Sequence, residues 1–163
     1  MFFLITFLIQ SKFTMKQISL LVTTLLFSFF INAQESSFHF TFNHLALSVK
    51  DVNRSAEFYK NVLKLQEITN RSKIEGIRWF MLKDGQELHL ISVIPEKVTI
   101  NKALHLGLSS TNFDAFVMQL EAAKIDYSDW GGKLNSVNIR ADGIKQIFFQ
   151  DPDGYWIEVN NVK

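Results

Sequence analysis

Two stretches decide how this chain folds: "DGQELHLI" at residues 84–91 and "DPDGYWIEV" at residues 151–159. Each runs Asp-Gly, three further residues, then a metal-capable side chain, His89 in the first and Glu158 in the second. Asp-Gly between two apolar runs reads as a tight hairpin turn. Widening the comparison gives "WFMLKDGQELHLI" against "FFQDPDGYWIEVN", an offset of 69. Upstream of these, "HLALS" at His44 to Ser48 recurs as "HLGLS" at His105 to Ser109, an offset of 61. Both halves therefore open on a histidine strand and close on the hairpin. The difference between the offsets places an insertion around "WGGKLNSV", where Gly131 and Gly132 mark a loop.

The segments between these anchors complete a repeat. Phe113, Phe116, Val117 and Leu120 fall at i, i+3, i+4 and i+7, which predicts a helix over 113–123 with Asn112 as its cap. Ala56, Phe58, Tyr59, Val62 and Leu63 predict a helix over 53–63 with a broad apolar stripe. Strand-like runs follow each helix, at about 65–73, 77–83 and 86–94, then at about 125–130, 144–150 and 155–160. Each half thus reads strand, helix, strand, strand, strand. The modules are 43–95 and 103–160, within a domain over 43–160.

Strand alternation gives these side chains a direction. His44, Ala46 and Ser48 share one face, and Leu45, Leu47 and Val49 the other. His105, Gly107 and Ser109 repeat that pattern. Glu87, His89 and Ile91 share a face, as do Trp156, Glu158 and Asn160. The apolar faces need their helices as cover, so the ligand-type side chains point into open space. Trp156 belongs beside Glu158, whereas Trp79, Phe80, Phe148, Phe149 and Trp130 are read as core. His39 is expected to be a bystander. Arg78, Arg140 and Lys145 are open between surface charges and contacts to an anionic substrate. The Asp residues of "DPDG" serve the turn and are not ligands.

Composition narrows the remaining classes. The chain has 163 residues, no cysteine and a formal charge of +1. Residues 1–33 contain no acidic side chain and only Lys12 and Lys16 as charges. Met15-Lys16-Gln17, the apolar run Ile18 to Ile31 and "NAQ" have the three parts of a secretory signal. The run is shorter than the roughly 20 residues that span a bilayer. Residues 1–33 are therefore read as a signal peptide cleaved near Ala33, with Met15 an alternative start, and 34–42 as an N-terminal segment. The mature protein is expected to be secreted or periplasmic, with no stable membrane insertion. Without the leader's two lysines the chain is slightly acidic, which argues against nucleic acid as a partner. The lack of cysteine excludes thiol nucleophiles and thiolate metal sites.

The combination "NHLALSVKDVNRSAEFYKNVLKL", "RWFMLKDGQELHLI", "LHLGLS" and "RADGIKQIFFQDPDGYWIEV" resembles the vicinal oxygen chelate superfamily. That superfamily includes glyoxalase I, bleomycin-resistance proteins, fosfomycin-resistance enzymes and extradiol dioxygenases. The resemblance spans about Asn43 to Asn160. It implies an α+β fold of two βαβββ modules forming an open, curled eight-strand sheet around a metal cavity. Ligands would come from the first and last strands of each module, here His44, His89, His105 and Glu158. One divalent ion (zinc, nickel, manganese or iron) is implied as cofactor, together with a small-molecule substrate bearing vicinal oxygens and a homodimer. His89 stands where the glyoxalase I pattern has a glutamate; Glu87, two residues earlier, is a supporting partner or a substitute ligand. Glu158 is the catalytic candidate. The implied activity is that of a metal-dependent glyoxalase-like lyase or isomerase. The alternatives are a small-molecule-binding resistance protein of the bleomycin type and an extradiol-type dioxygenase using His44, His105 and Glu158.

Overall fold

A computed structural model describes residues 40–94 and 98–163. The leader, its cleavage point and His39 lie outside the described residues. Residues Phe42–Lys163 form one compact unit. Its first module holds β1 (His44–Ser48), α1 (Val52–Asn61), β2 (Gln66–Ile68), β3 (Ile77–Met81) and β4 (Glu87–Ile91). The second holds β5 (His105–Ser109), α2 (Phe113–Ala122), β6 (Asn138–Ile139), β7 (Lys145–Gln150) and β8 (Trp156–Asn160). The eight strands divide into two ladders of four, ordered β1-β4-β3-β2 and β5-β8-β7-β6. The first strand of each module lies parallel to its last, and the other pairings are antiparallel. This is the two-module βαβββ, α+β architecture that the repeat predicts.

Local chemistry explains where the elements begin and turn. Asp51 caps α1 by accepting from the amides of Asn53 and Arg54 at 2.9 and 3.1 Å. The expected cap of α2 is not made: Asn112 forms no capping bond, because its backbone (φ −126°, ψ 51°) leaves the extended conformation a cap needs. The repeated hairpins share their closing hydrogen bond but differ inside the turn, where Gln86 N donates to Lys83 O and Gly154 N to Asp151 O. Leu82 N donates to Gln86 O at 2.7 Å, and Asp151 N donates to Tyr155 O at 3.0 Å. Gly85 and Gly154 have φ of 80° and 92°, which a side chain would resist.

Two strands differ from the sequence reading. The first predicted strand of module one after its helix is confined to Gln66–Ile68, because Asn70 turns the chain by bonding the Ile74 and Ile77 carbonyls. Over 125–130 only Ser128 bridges, to Leu134 and Phe148. The strand that completes the second ladder is β6 at Asn138–Ile139, beyond the insertion. The insertion thus carries the chain out of the sheet and back to its edge.

One hydrophobic core serves both modules. Leu47, Tyr59, Phe80, Leu88 and Leu90 join Phe113, Leu120, Ile147, Phe149 and Ile157 in a single cluster. The modules are also pinned by polar contacts around the second hairpin. Asp151 accepts from the Tyr59 hydroxyl at 2.9 Å and from the amides of Asp153 and Tyr155. Asp153 accepts from the Ser55 hydroxyl and the Lys50 amide at 2.6 and 3.0 Å. Burial pushes the Asp151 carboxyl up, while the Tyr155 amide and the Tyr59 hydroxyl pull it down. Burial, and next to it the Asp151 charge, drives the Tyr59 hydroxyl far above the ordinary tyrosine value. The two "DPDG" aspartates hold the turn against α1, Asp153 at its start and Asp151 through Tyr59 in its second half.

Candidate functional site

The helix-free faces carry the ligand-type side chains in matched register. In module one His44 is opposite Glu87, Ala46 opposite His89, and His89 opposite Trp79. In module two His105 is opposite Trp156, Gly107 opposite Glu158, and Glu158 opposite Phe148. The intervening Leu88, Leu90, Ile157 and Val159 are buried on the other face. Period-two alternation therefore delivers the predicted side chains to the predicted side.

In module one they form a stack. The His44 and His89 rings lie 4.4 Å apart at 16°, and the Trp79 ring lies 4.1 Å from His89 at 8°. The Arg71 guanidinium covers the indole at 4.5 Å. Arg71 also grips Glu87 at 2.7 and 3.0 Å, and the other contact of Glu87 is His89 Nε2 at 2.8 Å. His89 first, then Arg71, holds the Glu87 carboxyl below its usual range. Glu87 is buried and fully engaged. Its geometry is that of a partner that orients His89.

In module two His105 Nε2 is 3.2 Å from Glu158 Oε2. Asn160 donates to Glu158 Oε1 at 2.8 Å. A Cβ built on Gly107 would meet nothing within 4 Å, so the strand position opposite Glu158 opens on free space. Phe148 and Trp130 meet the His105 ring edge to face at 5.5 and 6.4 Å. Trp130 is 51% exposed and so is not core, contrary to its reading from sequence. It sits in the insertion, where no strand alternation applies. Trp79 is half-buried between Arg71 and His89, whereas Phe80, Phe148 and Phe149 are core as expected. The three cations left open each have a carboxylate: Arg78 holds Glu67, Arg140 holds Asp142, and Lys145 holds Asp114.

Each of the three described histidines has a ring nitrogen facing an acceptor, and His105 has both. His44 Nδ1 faces Asn43 Oδ1 at 2.7 Å, His89 Nε2 faces Glu87, and His105 Nδ1 faces the Lys102 carbonyl at 3.0 Å. A ring nitrogen facing an acceptor carries the proton, so a neutral ring keeps its lone pair on the other nitrogen. This leaves His44 Nε2 and His89 Nδ1 with free lone pairs, whereas His105 Nε2 faces Glu158 Oε2 and would have to give up a proton before it and the Glu158 carboxylate could hold an ion together. The donor chemistry suits a first-row divalent ion.

Their placement in one chain does not complete a site. Tyr155, just ahead of β8, donates its hydroxyl to the Ser48 carbonyl at the end of β1. His105 starts β5 alongside the start of β8, so it lies near that same end of β1. A cleft of about 360 Å³ at this place is lined by Ala46, Ser48, Leu104, His105 and Tyr155. His44 stands at the other end of β1, four residues or roughly 13 Å away along the strand. The His44 and His89 rings are also stacked, and lone pairs lie in ring planes, so the two do not converge on one point. Among the described residues no three such side chains gather into a metal-holding group. Within one chain the predicted four-ligand set is two pairs, His44 with His89 and His105 with Glu158.

The comparisons agree with this fold. The chain belongs to the glyoxalase/bleomycin resistance protein/dioxygenase superfamily, whose family model matches residues 41–159. It is 28% identical over 125 residues to Glyoxylase I 4 of Arabidopsis thaliana, covering 73% of this chain and 69% of that protein. It is 25% identical to metallothiol transferase FosB of Staphylococcus saprophyticus, covering 72% and 74% respectively. Lactoylglutathione lyase from Agrobacterium tumefaciens shares the fold at a TM-score of 0.58 and 19% identity, over 76% of this chain and 95% of that one.

Proposed function

We propose that this protein is a metal-dependent, glyoxalase-like enzyme that acts on a small molecule with vicinal oxygens. Its working centre would be assembled in a homodimer, with His105 and Glu158 of one chain facing His44 and His89 of a second copy, and binding would have to turn one of the stacked His44 and His89 rings so that both lone pairs reach the ion. The observation that carries this reading is the set of three imidazoles and one carboxylate, split into one pair on each four-strand ladder. A two-fold axis repeats every contact, so two such pairs from each chain would make two equivalent centres. The metallothiol transferase among the relatives carries metal chemistry in its name, and the lyase among the structural neighbours favours proton-transfer chemistry on this fold. A bound divalent ion would supply charge neutralisation for adjacent substrate oxygens.

The chain's own residues would do the rest. Glu158 stands opposite the open position at Gly107, and its carboxylate is the candidate to take a proton from substrate carbon. Glu87 keeps His89 oriented, and the Lys102 carbonyl does the same for His105. Trp130 and Trp156 would wall the substrate space. We further propose that the leader directs the protein to the secreted or periplasmic compartment.

The test is metal content together with native mass, on protein purified from its host. The proposal expects a dimer carrying one ion per chain, and His44→Ala and His105→Ala should each deplete it. A monomer that retains its ion after His44→Ala would overturn the shared centre. A dimer without metal that still binds ligand would favour the resistance-protein reading instead.

A further inference from the structure

We propose that Lys102 is a positioning residue, gripping module two at both of its ends so that His105 and Trp130 keep their places beside Glu158. Its ammonium reaches three acceptors: Ser128 Oγ at 3.1 Å, the Trp130 carbonyl at 3.1 Å and the Asp129 carbonyl. An ammonium has three N–H donors, so its capacity is filled. Three aromatic rings surround the same charge, Phe148 at 4.7 Å, Trp156 at 4.8 Å and Trp130 at 5.8 Å. The backbone carbonyl of the same residue accepts from His105 Nδ1. One residue therefore links the segment before β5, the loop carrying Trp130 and the ring orientation of His105.

This is an unusual use of a lysine. Lysine ordinarily lays its stem on the protein and leaves its head in water. Here the head is turned inward, and burial holds the amine below the ordinary lysine value while the Asp129 charge opposes that shift. The turn beneath it is fixed as well: Asn101 accepts from Ala103 N through its side chain and from Leu104 N through its carbonyl, both at 3.0 Å. That turn aims the Lys102 carbonyl at His105, and the ammonium stops it from swinging away. Module one contains an independent parallel. Arg71 covers Trp79, the counterpart of Phe148, and steadies His89 through Glu87. The two cations come from unrelated places in the repeat, one from the loop between β2 and β3 and the other from the segment between the modules.

The role assigned to Lys102 rests on the proposed use of the His105–Glu158 pair, but its first test needs neither metal nor substrate. In the full chain, imidazole NMR should show a protected Nδ1–H of His105. Lys102→Met keeps the stem and removes charge and donors; that resonance should exchange away and the Trp130 indole N–H should shift. Lys102→Arg should restore both, because it returns a cation to the rings. Lys102→Gln serves as a second variant if circular dichroism shows that the methionine variant does not fold. A folded Met or Gln variant with both resonances unchanged overturns the inference. Zinc titration then separates it from the functional reading. Loss of an orienting partner typically lowers metal affinity roughly 10- to 100-fold. That loss would support both, whereas unchanged affinity with a lost Nδ1–H would support the positioning role and count against His105 as a ligand.

Discussion

In module one an arginine, an indole and two imidazoles lie in a single stack, with Glu87 clamped between Arg71 and His89. In module two the same three strand positions hold Phe148, Trp156 and Glu158, and an ammonium sits among aromatic rings. The backbone register is identical, with Trp79 matching Phe148, Glu87 matching Trp156 and His89 matching Glu158. The contrast separates two roles for a carboxylate. Glu87 is buried and supports a histidine. Glu158 occupies the ligand position itself, as little exposed as Glu87 but opposite the bare strand position of Gly107. Repetition kept the scaffold, and the side chains divided the work.

The largest test of that division is removal of a ligand from each half. His44→Ala and His105→Ala should each weaken zinc affinity by more than ~100-fold, beyond the range for an orienting partner. Isothermal titration would check this, and unequal losses would show that one module dominates. Next comes Glu158→Gln, which keeps the size of the side chain but removes the base. Turnover on a confirmed substrate should fall at least ~100-fold. Near-normal turnover would assign proton transfer to another group and reduce Glu158 to a ligand at most.

Glu87→Gln should have a smaller effect, because Glu87 acts through His89. A fall in metal affinity of roughly 10- to 100-fold is expected from losing an orienting carboxylate. A loss as large as that of His89→Ala would make Glu87 a ligand and erase the contrast between the modules.

The smallest effect concerns the seam where the second hairpin meets α1. Tyr59→Phe removes a buried hydrogen bond to Asp151 and should cost about 1–3 kcal/mol in chemical denaturation at neutral pH. The Asp151 carboxyl is raised in the folded protein, so the fold binds its proton more tightly than the unfolded chain does. Its contribution is most favourable below the ordinary aspartate range and declines as pH rises through the raised value. The Tyr59 hydroxyl lowers that carboxyl, so Tyr59→Phe should raise it further and extend the decline to higher pH. The penalty should therefore grow from acid toward neutral pH; a penalty independent of pH would mean that Asp151 does not respond to the hydroxyl.

Much of this was legible in the chain because strand and helix signals are local. "HLALS" and "HLGLS" place histidines on one face by period-two alternation, and the paired Asp-Gly turns mark both closing strands. The same logic failed where periodicity stops. Trp130 lies in the insertion and is exposed, and β6 lies beyond it at Asn138–Ile139. No spacing marks Arg71 or Lys102 either, since both come from segments outside the strands whose course depends on what they pack against.

By itself the sequence determined the duplication, the two βαβββ modules and the faces on which His44, His89, His105 and Glu158 stand, because each follows from short-range periodicity and turn chemistry. Only the tertiary structure decided which of them meet. The Tyr155 to Ser48 bond and the shared core set the start of β5 at the end of β1, which puts the pairs apart in one chain. That relation arises between segments about a hundred residues apart, where packing of whole modules, and no local pattern, fixes the geometry.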